Sequence, residues 1–500
     1  MSSPVGIEQL RSRIAPVEMT EEQFRSLGHD LVDRIAGFLG SLRTRPVTPA
    51  ESPLDVRAAL AANRALPEQG KDPEILLRDV TSLLFEHSLL NGHPRFYGYV
   101  TSSAAPIGML ADFLASAVNA NVGAWKLSPM ASEIEGQVIR WLAQFIGYPD
   151  DCGGLLLSGG NMANFTCFLA ARAAHAGWDL RKQGVAAGSR LCVYASSETH
   201  TWIQKAADLA GLGTDAIHWI TGQQTMDLIQ LERQYRQDIH DGYQPFLVVG
   251  SAGTVSTGAV DPLPALAAFC REHGLWFHVD GAYGAFASAL ADAPTDLKGL
   301  QMADSVAVDP HKWLYAPLEA GCALVRDPAA LRNAFSYHPP YYSFDVEAVN
   351  YFDIGPQNSR GFRALKIWLA LQHAGAAAYR EMIQDDITLA RSLYNLAANH
   401  SELEALTQHL SITTLRYVPG ELRSSVGCES TENYLNALNE RLLAAIERSG
   451  EAFMSNAVIG GKYALRFCIV NFRTSTDDIE AMPQLVVRLG RQLHAELNRR

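Results

Sequence analysis

Between residues 86 and 375, short apolar runs alternate with longer stretches of helical periodicity. The runs fall at 154–157, 190–194, 218–220, 246–249, 275–279, 305–308 and 322–325. Most are apolar at successive positions rather than at every second one, as expected of strands buried on both faces. Buried strands separated by helices predict an α/β fold with a mostly parallel seven-stranded sheet. The flanks read differently. Phe24, Leu27, Leu31, Ile35 and Phe38 recur at helical spacing behind a Thr20/Gln23 capping box. Pro46, Pro49 and Pro53 mark an extended connector. At the other end, 411–417 and 462–471 read as strands and 482–497 as an amphipathic helix. The expected division is a helical segment over 1–85, a large α/β domain over 86–375 and a small α+β domain over 376–500. The first helix has little chain of its own to bury against, so it is expected to pack on the main body or on a second subunit.

Composition narrows the function. Net charge is −12 and the pI is about 5.7, an unfavourable balance for binding nucleic acid or an anionic membrane. The seven cysteines are scattered without a CxxC, which predicts a reduced, cytoplasmic protein with neither a disulfide framework nor a zinc site. Residues 1–22 show no secretory signal pattern, and the apolar stretch 104–118 is broken by Asp112 and too short to span a bilayer.

In an open α/β sheet, ligands sit at the carboxyl ends of the strands. After the first run comes Ser158-Gly159-Gly160-Asn161, a Gly-rich turn opening a helix and therefore an anion cradle. After the second comes His200, a residue able to stack on a flat ligand or carry a proton. The fourth run leads into the small-residue loop 250–258, around Gly253-Thr254. The fifth ends in Asp280, an acid that needs a cation or a protonated ring nitrogen beside it. The sixth leads to Asp309-Pro310-His311-Lys312-Trp313. Only eight of the 41 Lys and Arg residues are lysines, and Lys312 stands where an apolar site favours a nucleophilic amine. An anion cradle, a stacking His, an acid and an imine-forming Lys are the parts that pyridoxal phosphate requires. No metal site is expected.

In these segments the chain resembles the group II pyridoxal-phosphate-dependent decarboxylases, the family of the aromatic amino acid decarboxylases and their bacterial relatives. The resemblance runs from about His93 to Trp368. It rests on 93–99 (His-Pro-Arg-Phe-Tyr-Gly-Tyr), Ser128-Pro129, the 158–164 turn, His200, Gly253-Thr254, the 278–283 and 309–313 segments, and 362–366. It implies a fold type I pyridoxal-phosphate enzyme working as a homodimer, with the N-terminal helices on the partner. Lys312 is then the cofactor lysine, and Asp280 the partner of the ring nitrogen. Ala282 lies under the ring and His200 over it. Gly160, Asn161 and the backbone near His311 take the phosphate, and Thr254 lies near the ring oxygen or the substrate. Tyr337 takes the place of the tyrosine that helps return a proton after CO2 leaves. A Phe there diverts relatives toward aldehyde formation. Tyr99, Val100, Gly123, His200 and Thr254 are the implied substrate contacts. Val100 and Gly123 replace bulky residues of animal relatives and imply a roomier pocket. Asp309 replaces an asparagine and receives no phosphate role. The implied reaction is decarboxylation of an L-amino acid, aromatic by the nearer branch. An aldehyde synthase, a non-aromatic substrate and a non-catalytic scaffold are the rival readings.

Overall fold

The computed structural model describes Arg11, residues 13–337 and residues 348–499. The chain forms two compact units, Met1–Leu90 and Asn91–Arg500.

The first unit holds the helices Glu21–Ser41, Pro53–Leu60 and Pro73–Glu86. The Thr20/Gln23 capping box forms as the sequence predicts, with side chain and backbone bonding reciprocally. Phe38 stacks on Phe85 with ring centroids 4.1 Å apart, and Arg45 covers the Phe38 ring. No side chain of the helix Glu21–Ser41 is buried.

The second unit is built on two sheets. The larger comprises β2 (Gly153–Leu157), β3 (Arg190–Ser196), β4 (Ile217–Ile220), β5 (Tyr243–Ser251), β6 (Trp276–Asp280), β7 (Ser305–Val308) and β8 (Gly321–Val325), in the order β2-β8-β7-β6-β5-β3-β4. All seven predicted strands are present. Neighbours pair in parallel except at β8, which runs antiparallel to both β2 and β7. Residues 246–249, 306–308 and 322–325 are buried throughout, which is why these strands read as unbroken apolar runs. The helix Gly160–His175 covers one face through Ala163, Cys167, Phe168 and Ala171.

The smaller sheet has the order β1-β11-β12-β10-β9, from β1 (Phe96–Tyr97), β9 (Leu403–His409), β10 (Ile412–Tyr417), β11 (Phe453–Ile459) and β12 (Lys462–Cys468). Strands β10 and β12 lie where the sequence predicts them, whereas β1, β9 and β11 were not anticipated. The helix Ala364–Ala398 runs across the expected 375/376 boundary and is interrupted there by Gly375, whose φ of 75° is left-handed. Among the described residues, no helix is long and apolar enough to cross a membrane.

Candidate active site

The predicted strand-end residues converge at one edge of the larger sheet. The turn after β2 places Gly159 at φ 107°, a conformation that favours glycine, and Gly160 opens the following helix. A Cβ on Gly160 would lie 2.8 Å from the Ala282 methyl, so this turn and the loop after β6 touch directly. Asp309 reaches across from the end of β7. Its Oδ2 accepts the Gly160 N–H at 2.7 Å, and its Oδ1 lies 2.6 Å from His311 Nδ1. The carboxylate therefore caps the helix Gly160–His175 and faces His311. Both of its oxygens are engaged in these contacts. Gly160 has its own N–H engaged in that cap, while Asn161, next along the helix, is exposed.

Lys312 is half-buried on the turn after β7, its backbone N–H bonded to the Asp309 carbonyl. The next residue, Trp313, is fully buried and stacks on Tyr283 at 4.8 Å. One oxygen of Asp386, from the helix Ala364–Ala398, accepts both the Trp313 indole N–H at 2.9 Å and the Tyr315 hydroxyl at 2.8 Å. The lysine-bearing turn is thus clamped on both sides. Tyr283 also fixes the loop after β5, since a Cβ on Gly253 would lie 2.7 Å from its ring. Thr254 is buried there and shares a hydrogen bond with Thr257.

Asp280 is half-buried at the end of β6 and accepts the Ala282 N–H on one oxygen and the Trp202 indole N–H on the other. His200 lies on the loop after β3. The residue is exposed, yet the protein around it desolvates the ring and holds its pKa below the ordinary 6.5, against an upward pull from Asp280. Lys312 also acts on His200 and pushes it further down, so the three residues share one electrostatic environment. Behind Asp280, His278 is fully buried and pushed down to about 4 by burial. It bridges Asn164 and Ser305, tying the helix Gly160–His175 to β6 and β7.

The remaining predicted residues lie further out. Tyr99 is 62% exposed in a left-handed conformation, and its carbonyl accepts a hydrogen bond from Arg466. Val100 follows it, half-buried. Gly123 is buried, and a Cβ there would meet the Asn358 carbonyl oxygen at 2.0 Å. The room expected at Gly123 is therefore taken by backbone. The Tyr337 ring is 69% exposed and lies 4.0 Å under the Arg181 guanidinium, away from the cluster. Residues 338–347 after it lie outside the described residues.

Two features went unread in the sequence. Arg466 on β12 is buried, yet its Nε and one terminal nitrogen have no hydrogen-bond partner. Arg466 and Lys312 both act electrostatically on the buried Cys468 thiol. The hydroxyls of Ser103 and Thr199 are also buried without partners. Thr199 precedes His200, and Ser103 follows Ser102, whose hydroxyl donates to the His311 carbonyl. Buried polar atoms without partners around glycine backbone, an amine, an acid and an imidazole suit a phosphorylated pyridine aldehyde. Elsewhere among the described residues, Cys192, His218 and Asp238 bring ligand-type atoms within 4.8 Å of one another. Asp238 already accepts hydrogen bonds from Tyr194 and Gln234 and pairs with His218.

The pyridoxal-dependent decarboxylase conserved domain matches residues 53–416, more than half of the chain. The chain belongs to this family. It is a pyridoxal-phosphate-dependent amino acid decarboxylase. It is 33% identical over 470 residues to an aromatic-L-amino-acid decarboxylase of Bacillus atrophaeus, covering 93% of this chain and 94% of that one. It is 29% identical to a phenylacetaldehyde synthase of a Rosa hybrid cultivar, covering 93% of each. Among solved structures, it resembles Oryza sativa TDC with PLP and tryptamine at a TM-score of 0.88 and 26% identity, over 96% of this chain and all of that one. These likenesses confirm the expected fold, cofactor and enzyme class.

Proposed function

We propose that the enzyme removes the α-carboxylate of an aromatic L-amino acid as CO2 and releases the amine. The observation that carries this reading is the meeting of Lys312, Asp280 and His200 around the Gly159–Gly160 turn, in a chain that spans nearly the full length of relatives named for aromatic substrates. When bound, pyridoxal phosphate supplies the electron sink for the pair left at Cα. Lys312 would hold the cofactor covalently through its amine. Asp280 would hold the ring nitrogen and its proton, and Ala282 and His200 would border the ring. Asn161, the turn at Gly160 and the backbone near His311 receive the phosphate, and Thr254 borders the ring oxygen or the substrate. The unpaired nitrogens of Arg466 offer a cation to a substrate carboxylate. Tyr99 and Val100 line the approach, and Gly123 borders it where the Asn358 carbonyl comes close. Proton return at Cα falls to His200; Tyr337 could take part only by leaving its contact with Arg181.

Two statements about the whole protein belong to the same proposal. The enzyme is a cytoplasmic homodimer, a reading supported by its unpaired cysteines and by a first helix with no buried side chain. Residues 1–85 serve as the dimerisation arm, 86–375 as the cofactor domain and 376–500 as the small domain.

Oxidative aldehyde formation is the second reading, favoured by the phenylacetaldehyde synthases among the relatives. The test is a panel of Trp, Tyr, Phe, dihydroxyphenylalanine, His, Glu and diaminobutyrate, scored for CO2 and peroxide together. CO2 from the aromatic members without matching peroxide supports decarboxylation. Peroxide equal to CO2 supports the second reading, and release confined to Glu or diaminobutyrate overturns the aromatic assignment.

A further inference from the structure

We propose that Trp202 is a positioning residue for the cofactor ring, fixing His200 through its backbone N–H and Asp280 through its indole N–H. The inference rests on the roles given above to those two residues. Trp202 opens the helix Trp202–Leu209, where the first N–H groups have no acceptor within the helix. Its N–H donates instead to His200 Nδ1 at 3.2 Å. A neutral imidazole whose Nδ1 accepts carries its proton on Nε2. The backbone contact thus selects the tautomer that presents an N–H at the far side of the ring.

The indole makes the second contact. Its Nε1 donates to Asp280 Oδ2 at 2.8 Å, while Oδ1 takes the Ala282 N–H at 3.2 Å. Each oxygen of the acid therefore has one N–H donor, and the two donors come from different loops. Two donors on separate oxygens fix the plane of the carboxylate. An oriented Asp280 is what faces the ring nitrogen and its proton. The indole itself cannot turn away. It is 1% exposed, with Phe168 edge-on at 6.4 Å and His278 edge-on at 5.6 Å. One residue, two past His200 and 78 before Asp280, thereby joins the imidazole to the acid, the first through its backbone N–H and the second through its buried indole.

The test is Trp202→Phe, which keeps an aromatic ring and the backbone N–H and removes the indole donor along with part of the buried ring volume, and benzothienylalanine at 202, which removes the donor alone. The readouts are the dissociation constant of pyridoxal phosphate, the ¹⁵N resonance of labelled cofactor in the holoenzyme, and kcat and KM separately. The cofactor dissociation constant is expected to rise about tenfold, the factor supplied by one hydrogen bond to a charged group. The ring-nitrogen resonance should move toward the unprotonated position, and kcat should fall more than KM rises. An unchanged dissociation constant and an unchanged resonance overturn the proposal. Asp280→Asn is measured in parallel. If it too changes nothing, the Asp280 reading fails; if it alone has an effect, only the Trp202 inference fails. Should the apoenzyme of Trp202→Phe lose its melting transition, benzothienylalanine placed at 202 keeps the indole shape without the N–H, and the same two results decide.

Discussion

Asp386 shows how one carboxyl can both hold a site together and make stability depend on pH. Burial pushes its pKa up to about 7, against the hydrogen bonds from Tyr315, Trp313 and the Asn471 backbone that pull it down. In the unfolded chain the ordinary value is 3.8, so between about pH 4 and pH 7 the unfolded state gives up a proton that the folded state keeps. The stability this group contributes is fully present below that window and is lost as pH rises through it. Asp386→Asn stays neutral, and its Oδ1 still accepts from Trp313 and Tyr315. Its melting temperature, relative to the natural protein, should climb from pH 4.5 to pH 7; a difference that is flat with pH contradicts the argument. Such a residue is hard to read from sequence. Lys312 and Asp280 were legible because each follows directly on a buried strand and lysine is scarce. Asp386 and Arg466, and Trp202 through its indole, act on partners dozens to hundreds of positions away, and nothing in the sequence beside them marks that contact. Asp309 was visible as an acid in a phosphate region, but its cap on Gly160 spans 149 positions and appears only in the fold.

At the scale of elements, a buried ion pair joins three parts of the larger unit. Glu135, on the helix Pro129–Ile146, accepts the Leu156 N–H of β2 and pairs with Arg360. Arg360 also donates to the Val122 carbonyl, and both side chains are fully buried. Removing one partner leaves an uncompensated charge, so Glu135→Leu should cost about 3–5 kcal/mol, read as a lowered midpoint of urea unfolding of the holoenzyme. Replacing both residues by apolar side chains should cost clearly less. If the single and double variants lose equally, the pair is not what holds these elements. The strands of the larger sheet were legible because burial on both faces leaves no polar position. Strands β9 and β11 were not, because each buries only part of its length and carries exposed polar residues such as His409 and Asn456. Strand β1 is two residues long, and its partner, Phe453, is more than 350 positions away.

At the scale of the whole molecule, the helix Glu21–Ser41 leaves Val32 exposed and buries no side chain of its own. A helix of that kind is normally held by packing its apolar face against something else. The proposed homodimer predicts a sedimenting mass near twice the 54.5 kDa of the chain at micromolar concentration. A mass equal to one chain contradicts it. The central claim is the chemistry at Lys312, and CO2 release from aromatic L-amino acids by the natural protein and by Lys312→Ala, both supplied with pyridoxal phosphate, tests it most directly. Steady release by the natural protein, with neither release nor bound cofactor colour in the variant, is the predicted result. Turnover by Lys312→Ala at the natural rate would contradict it.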